Sequence, residues 1–147
     1  MPKVKLTIEE AMKVPPALGI LARKELPVYG ARKVLRLIRV LTPEVEDSEK
    51  IRQRLLDEFC EHTEDGKRVL DKVPVRDEDG NVQMVDAAHF EDPEKRAAFE
   101  GQLRELYNSK VEAPFGLTAK DLGTQVEIKA SLLLQLGPLW GDDESMA

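Results

Sequence analysis

The chain has a single cysteine, Cys60, so no internal disulfide can form, and the expectation is a reducing compartment. It has only two histidines, His62 and His89, and neither lies beside a serine or cysteine in a nucleophile signature. Aromatic residues make up 5% of the sequence, which leaves Leu, Val, Ile and Ala to build the core. No apolar run approaches the roughly 20 residues that span a bilayer, and MPKVKLTIEE lacks the apolar stretch of a signal peptide. No GxSxG motif and no phosphate-cradling glycine loop occurs, so no catalytic residue is assigned and a non-enzymatic protein without cofactors is expected.

Charged residues make up 34% of the chain, and they are unevenly placed. Residues 1 to 42 carry nine Lys or Arg against three acids, a net of +6, which leaves −12 for the remainder of a chain totalling −6. Such asymmetry suits head-to-tail self-association or a local anion-binding face on an acidic protein. At 147 residues one compact domain is expected over 1–141, with 142–147 as a flexible tail.

Thr7 followed by Glu10 spells a capping box, so a helix starts near Ile8. Pro15 and Pro16 should end it near Lys13, with a second helix restarting after them. Pro27 suits the first turn of the next helix, in which Ala31, Val34, Leu35, Ile38 and Leu41 recur at helical spacing. At Pro43 either the helix kinks or, as favoured here, a new helix begins with Thr42 as its N-cap. The helical region is expected over about 8–63, with Ile51, Leu55, Leu56, Phe59 and Cys60 on one face. A β-hairpin over about 68–86 turns at Asp79-Gly80. Asp92 then caps a helix over 93–108 whose apolar face is Phe99, Leu103, Leu106 and Tyr107. Short strands over about 110–128 and a C-terminal helix over about 131–137, capped by Ser131, complete the prediction. The fold class is α+β, mainly α: a long antiparallel helix pair with a β-hairpin at one end plus short additional strands and helices.

Two metal readings fail on ligand pattern. Cys60, His62 and His89 match none of the common zinc spacings, and the Asp77-to-Asp86 stretch puts Val75 where a calcium loop needs an oxygen ligand. The constellation that carries chemistry is Arg32, Arg36 and Arg39 with Lys33: spacings of four and three put three guanidinium groups on one helix side, and Arg23 and Lys24 extend the patch. Arginine forks match phosphate geometry, so a nucleotide or a nucleic-acid backbone could bind there. The competing reading is a solvated face salt-bridged to the acidic segment EVEDSE. No groove-reading motif is present, so sequence-specific DNA binding is not expected. Leu132, Leu133, Leu136, Leu139 and Trp140 crowd an apolar surface at the C-terminal end and are the candidate interface of a homo-oligomer.

The order VKLTIEEAMKVPPALGILARKELPV, the EDGK and DEDGNV turns, FEGQLRELYNSKVE and DLGTQVEIKASLLLQLGPL resembles a group of small proteins of unknown function encoded in tailed-bacteriophage and prophage genomes. The resemblance implies a viral origin and the cytoplasm of an infected bacterial host, or the virion, as the place of action; it brings no catalytic residues. The expected function is that of a phage accessory protein that self-associates and binds a host or phage macromolecule. An alternative is an oligomeric binder of a phosphorylated small molecule, such as a nucleotide signal of host defence, in a counter-defence role. A virion structural component is a third.

Overall fold

A computed structural model describes residues 3–123 and 127–141. The fold is α+β and mainly helical, with one long helix and two small antiparallel sheets. The elements run β1 (Val4–Thr7), α1 (Ile8–Met12), α2 (Val14–Ala22), α3 (Val28–Phe59), β2 (Leu70–Arg76), β3 (Val82–Ala88), α4 (Pro93–Asn108), β4 (Lys110–Ala113), α5 (Ala119–Leu122) and α6 (Ala130–Leu136), closed by a 3-10 turn at Gly137–Leu139. The chain divides into two compact units, one formed by 1–49 with 106–147 and the other by 50–105. Each has its own apolar cluster.

In the first unit β1 pairs antiparallel with β4, with Leu6 opposite Val111. The sequence reading has no strand at β1, because four residues give too short an alternation to stand out, but Leu6 is fully buried. The Thr7 cap of α1 is as expected: Glu10 N–H donates to Thr7 Oγ1 at 3.1 Å and Thr7 N–H donates to Glu10 Oε1 at 2.9 Å. Helix α1 ends at Met12 with Lys13 as its C-cap, as expected, but the restart differs. Helix α2 begins at Val14, so Pro15 and Pro16 occupy its first turn, where their missing donors cost nothing. Pro27 precedes α3, and its carbonyl accepts the first helical bond from Ala31 N–H at 2.8 Å.

Pro43 neither starts a helix nor ends one. Helix α3 runs unbroken for 32 residues with Pro43 inside, so Thr42 is not an N-cap. The proline removes only the bond it would have donated to the Arg39 carbonyl, and buried Leu41 with half-buried Val45 anchors the helix on both sides of it. The apolar stripe is also rotated from the one expected. Val34, Leu37 and Leu41 are fully buried, whereas Leu35 is 47% exposed.

The rest of the first core comes from α2, β4, α5 and α6. Leu117, Leu122, Leu132, Leu136 and Leu139 pack against Leu18, Leu21, Leu37 and Leu41. The expected strand over TQVEIKA is not formed at Glu127, Ile128 and Lys129, which precede α6 without regular structure; residues 124–126 and the tail 142–147 lie outside the described residues. Lys129, not Ser131, is the N-cap of α6.

The second unit holds the hairpin. β2 and β3 pair with Val73 opposite Val85 and Pro74 opposite Met84. The turn forms where Asp79-Gly80 predicts it: Gly80 has φ 84°, and Asp77 Oδ1 accepts from the backbone N–H of Asp79 at 3.0 Å and of Asn81 at 2.9 Å. Asp92 caps α4 through Glu94 N–H at 2.9 Å. Leu55, Leu56 and half-buried Phe59 of α3 pack with Phe99 and Leu103 of α4, and the Phe90 and Phe99 rings lie 5.1 Å apart.

Candidate functional site

The first two turns of α3 lie against α5. Gly30 makes that approach possible, since a Cβ there would lie 1.7 Å from the Asp121 carbonyl oxygen. One turn on, Lys33 is 94% buried and its Nζ donates to Asp121 Oδ2 at 2.7 Å. The same oxygen accepts from Thr118 N–H at 3.0 Å and Thr118 Oγ1 at 3.3 Å, so one carboxylate caps α5 and neutralises a buried ammonium. Lys33 Nζ also lies 5.1 Å from the Phe115 ring centroid and 5.7 Å from that of Tyr29, within cation–π range of both.

Above this floor is an open cleft of about 640 Å³ lined by Tyr29, Arg32, Lys33, Leu35, Arg36, Arg39 and Phe115. The four sequence candidates are therefore brought together, but not as equals. Arg32, Arg36 and Arg39 are exposed on one side of α3, whereas Lys33 is spent on Asp121. Among the described residues none of the three arginines makes an ion pair, and no acidic side chain lines the cleft. The salt-bridged face with EVEDSE is thus not formed among them; within that segment Ser48 turns back to donate to the Glu44 carbonyl at 2.8 Å. Arg23 and Lys24 do not extend the stripe. Lys24 borders a separate opening with Ile20, Lys129 and Gln135.

Tyr29 and Phe115 of the cleft, and Asp121 beneath it, are the residues that sequence reasoning missed. Tyr29 precedes Arg32 and Lys33 by three and four residues, a helical spacing that could have flagged it. Thr118-x-x-Asp121 is a capping box that the turn-like reading of GLTAKDLG passed over. Phe115 comes from a distant loop, and no local signal ties it to α3.

The second unit has an opening of similar size, about 630 Å³, but its charges are matched. His89 Nδ1 is 2.7 Å from Asp71 Oδ2, Arg96 pairs with Glu100 at 3.2 Å, and Arg68 donates to Asp57 at 2.6 Å and Gln53 at 2.7 Å. The Arg68 bond holds the Asp57 carboxyl below its ordinary 3.8, and the Asp71 bond raises His89 above 6.5. Burial raises the Cys60 thiol, whose Sγ is 4.0 Å from His62 Nε2. Among the described residues no three His, Cys, Asp or Glu side chains are grouped as for a metal ion.

The leucines assigned to an oligomer interface have another place. Leu132, Leu136 and Leu139 are at most 6% exposed in the first core, and Leu133 and Trp140 are partly buried against it. The chain buries this surface itself because β1, α2 and α6 close over it, a long-range arrangement invisible in a local apolar count. Among the described residues there, Leu134 of α6 is the large apolar side chain left exposed, at 80%. No helix among the described residues is long and apolar enough to cross a membrane. In comparisons with known proteins, no family model, no curated protein and no solved structure matches this chain.

Proposed function

We propose that the α3 cleft binds a phosphorylated small molecule and that the protein acts by holding it rather than by transforming it. The observation that carries this is the set of three guanidinium groups, Arg32, Arg36 and Arg39, exposed in one cleft with no carboxylate among its lining residues. Guanidinium forks suit phosphate oxygens, and the volume falls in the range of small-ligand sites. In the phage setting suggested by the sequence resemblance, the ligand would be a nucleotide signal of host defence, removed from solution by binding.

A thermal-shift panel of nucleotides and inorganic polyphosphates tests the reading. A ligand at a hundred times its dissociation constant stabilises by about 2.7 kcal/mol. Arg36→Glu should abolish the shift at little cost in stability, and Arg36→Lys should weaken it by losing the bidentate fork. No shift with any phosphate compound, or an undiminished shift in Arg36→Glu, would remove the proposal.

A second reading, non-enzymatic binding of a host or phage protein, is favoured by one feature of the hairpin. Asp77 N–H bonds to the Asn81 carbonyl at 2.9 Å and His89 N–H to that of Val69 at 2.8 Å, which fixes the ladder bonds on alternate residues. The outward backbone groups are then those of Lys72, Pro74 and Arg76 on β2 and of Val82, Met84 and Asp86 on β3. Pro74 blunts the β2 edge; β3 has no such guard and has exposed Val82 and Met84. Met84→Pro would close that edge while sparing the hairpin ladder. Recovery of a phage or host protein with the parent but not with Met84→Pro would support this reading; equal recovery would sink it.

A further inference from the structure

The cleft is more specific than an anion site, and this step rests on the anion reading above. Its free charge can be counted. Lys33 is neutralised by Asp121 at 2.7 Å, so the ligand meets the three guanidinium charges alone. A phosphomonoester carries about −1.5 to −2 at neutral pH, which leaves at least one guanidinium uncompensated beside two like charges. Along α3, Arg32 and Arg39 are separated by about 10 Å of helix rise, a spacing that several linked phosphate groups follow better than one.

At the N-terminal end of the stripe the chemistry changes from charge to ring. Tyr29 is 60% exposed and lies one turn before Arg32 and Lys33, while Phe115 is half-buried with its ring centroid 5.1 Å from the same ammonium. An exposed ring beside a row of arginines is the pairing that accepts a base and its phosphates together, because stacking is tolerant of base identity and the forks take the oxygens. We infer that the cleft takes a nucleoside carrying two or more phosphates, with the base against Tyr29 and Phe115 and the phosphates running along Arg32, Arg36 and Arg39. Lys33 lies within cation–π range of both rings and is paired with Asp121, so its charge is not offered to the ligand.

Isothermal titration of AMP, ADP, ATP and inorganic tripolyphosphate into the full chain, the Tyr29→Ala variant and the Arg36→Glu variant decides it. The parent should bind ATP at least tenfold more tightly than AMP, with ADP between them, and at least tenfold more tightly than tripolyphosphate. Tyr29→Ala should bring ATP down to the level of tripolyphosphate and leave tripolyphosphate unchanged. Equal affinity for AMP and ATP overturns the phosphate count. Equal affinity for tripolyphosphate and ATP, or equal loss of both in Tyr29→Ala, overturns the base platform. In either of those cases abolition by Arg36→Glu would leave the anion reading standing, whereas no binding of any of the four compounds to the parent would remove both.

Discussion

Replacing Gly30 with alanine sets two effects of opposite sign against each other at one position. Gly30 is in the first turn of α3, where alanine is the better helix former by about 1 kcal/mol, so propensity alone predicts stabilisation. The added Cβ, however, would lie 1.7 Å from the Asp121 carbonyl oxygen and 2.7 Å from its carbonyl carbon. Both are backbone atoms with no rotamer to escape into, so α5 would have to retreat by more than an ångström. That retreat stretches the 2.7 Å Lys33–Asp121 bond. Overpacking of this kind costs about 1–3 kcal/mol, and a buried ammonium that loses its partner costs about 3–5 kcal/mol. The contact should win, with a net loss of about 2 kcal/mol or more.

Gly101 supplies the control. It is in α4 with nothing within 4 Å of its would-be Cβ, so Gly101→Ala should stabilise by about 0.5–1 kcal/mol. Urea unfolding of the two variants beside the parent reads both signs. A Gly30→Ala variant as stable as the parent, or more so, would refute the close packing of α5 on α3 and with it the floor of the cleft.

Leu136→Ala should cost about 2–5 kcal/mol, because its side chain is fully buried, while Leu134→Ala, at a position 80% exposed, should change stability by about 0.5 kcal/mol or less; similar values for the two in urea melts would contradict the placement of α6. Gly80→Val should cost about 1 kcal/mol or more through the positive φ of the hairpin turn and leave far-UV helical signal intact, and an unchanged melt would count against that turn. The Asp71 bond favours the charged form of His89, so its folded pKa lies above 6.5; its stabilising contribution is full below pH 6.5 and is lost as pH rises through the folded pKa. An NMR titration of His89 should show that raised midpoint and its return toward 6.5 in Asp71→Asn; a midpoint at or below 6.5 in the parent would rule the pair out.

Local chemistry made much of this fold legible. The Thr7–Glu10 box, the Asp77–Asn81 turn and the Asp92 cap are each fixed by side chains within a few residues of the backbone they satisfy, and each forms where the sequence puts it. Proline was harder to read, because its penalty depends on position in a helix. At Pro15 and Pro16 the missing donors fall among groups that are free anyway, and at Pro43 the packing of Leu41 and Val45 outweighs one lost bond. Long-range strand pairing and the covering of the C-terminal leucines were not legible. Nothing local in Val4–Thr7 announces a partner at Lys110–Ala113, and nothing in the C-terminal leucines announces that α2 will cover them. The arginine stripe followed from helical spacing alone, but its aromatic end needed Phe115 from a loop more than 70 residues away.

Lys33 shows why spacing without burial misassigns charge. By sequence it belongs with Arg32, Arg36 and Arg39; at 100° per residue it is turned from Arg32 toward α5, where Asp121 takes its charge. The cleft that remains is cationic although the whole chain carries −6. Net charge is a poor guide at that range, since screening at physiological ionic strength acts over about 8 Å and a ligand seated among the arginines feels chiefly its immediate neighbours. The acidic remainder acts at longer distance, where it slows the approach of any polyanion and more so at low salt. That long-range repulsion grows with the charge of the ligand, so it weighs less on a ligand of a few charges than on a long nucleic acid, which favours the small phosphorylated ligand over the polymer.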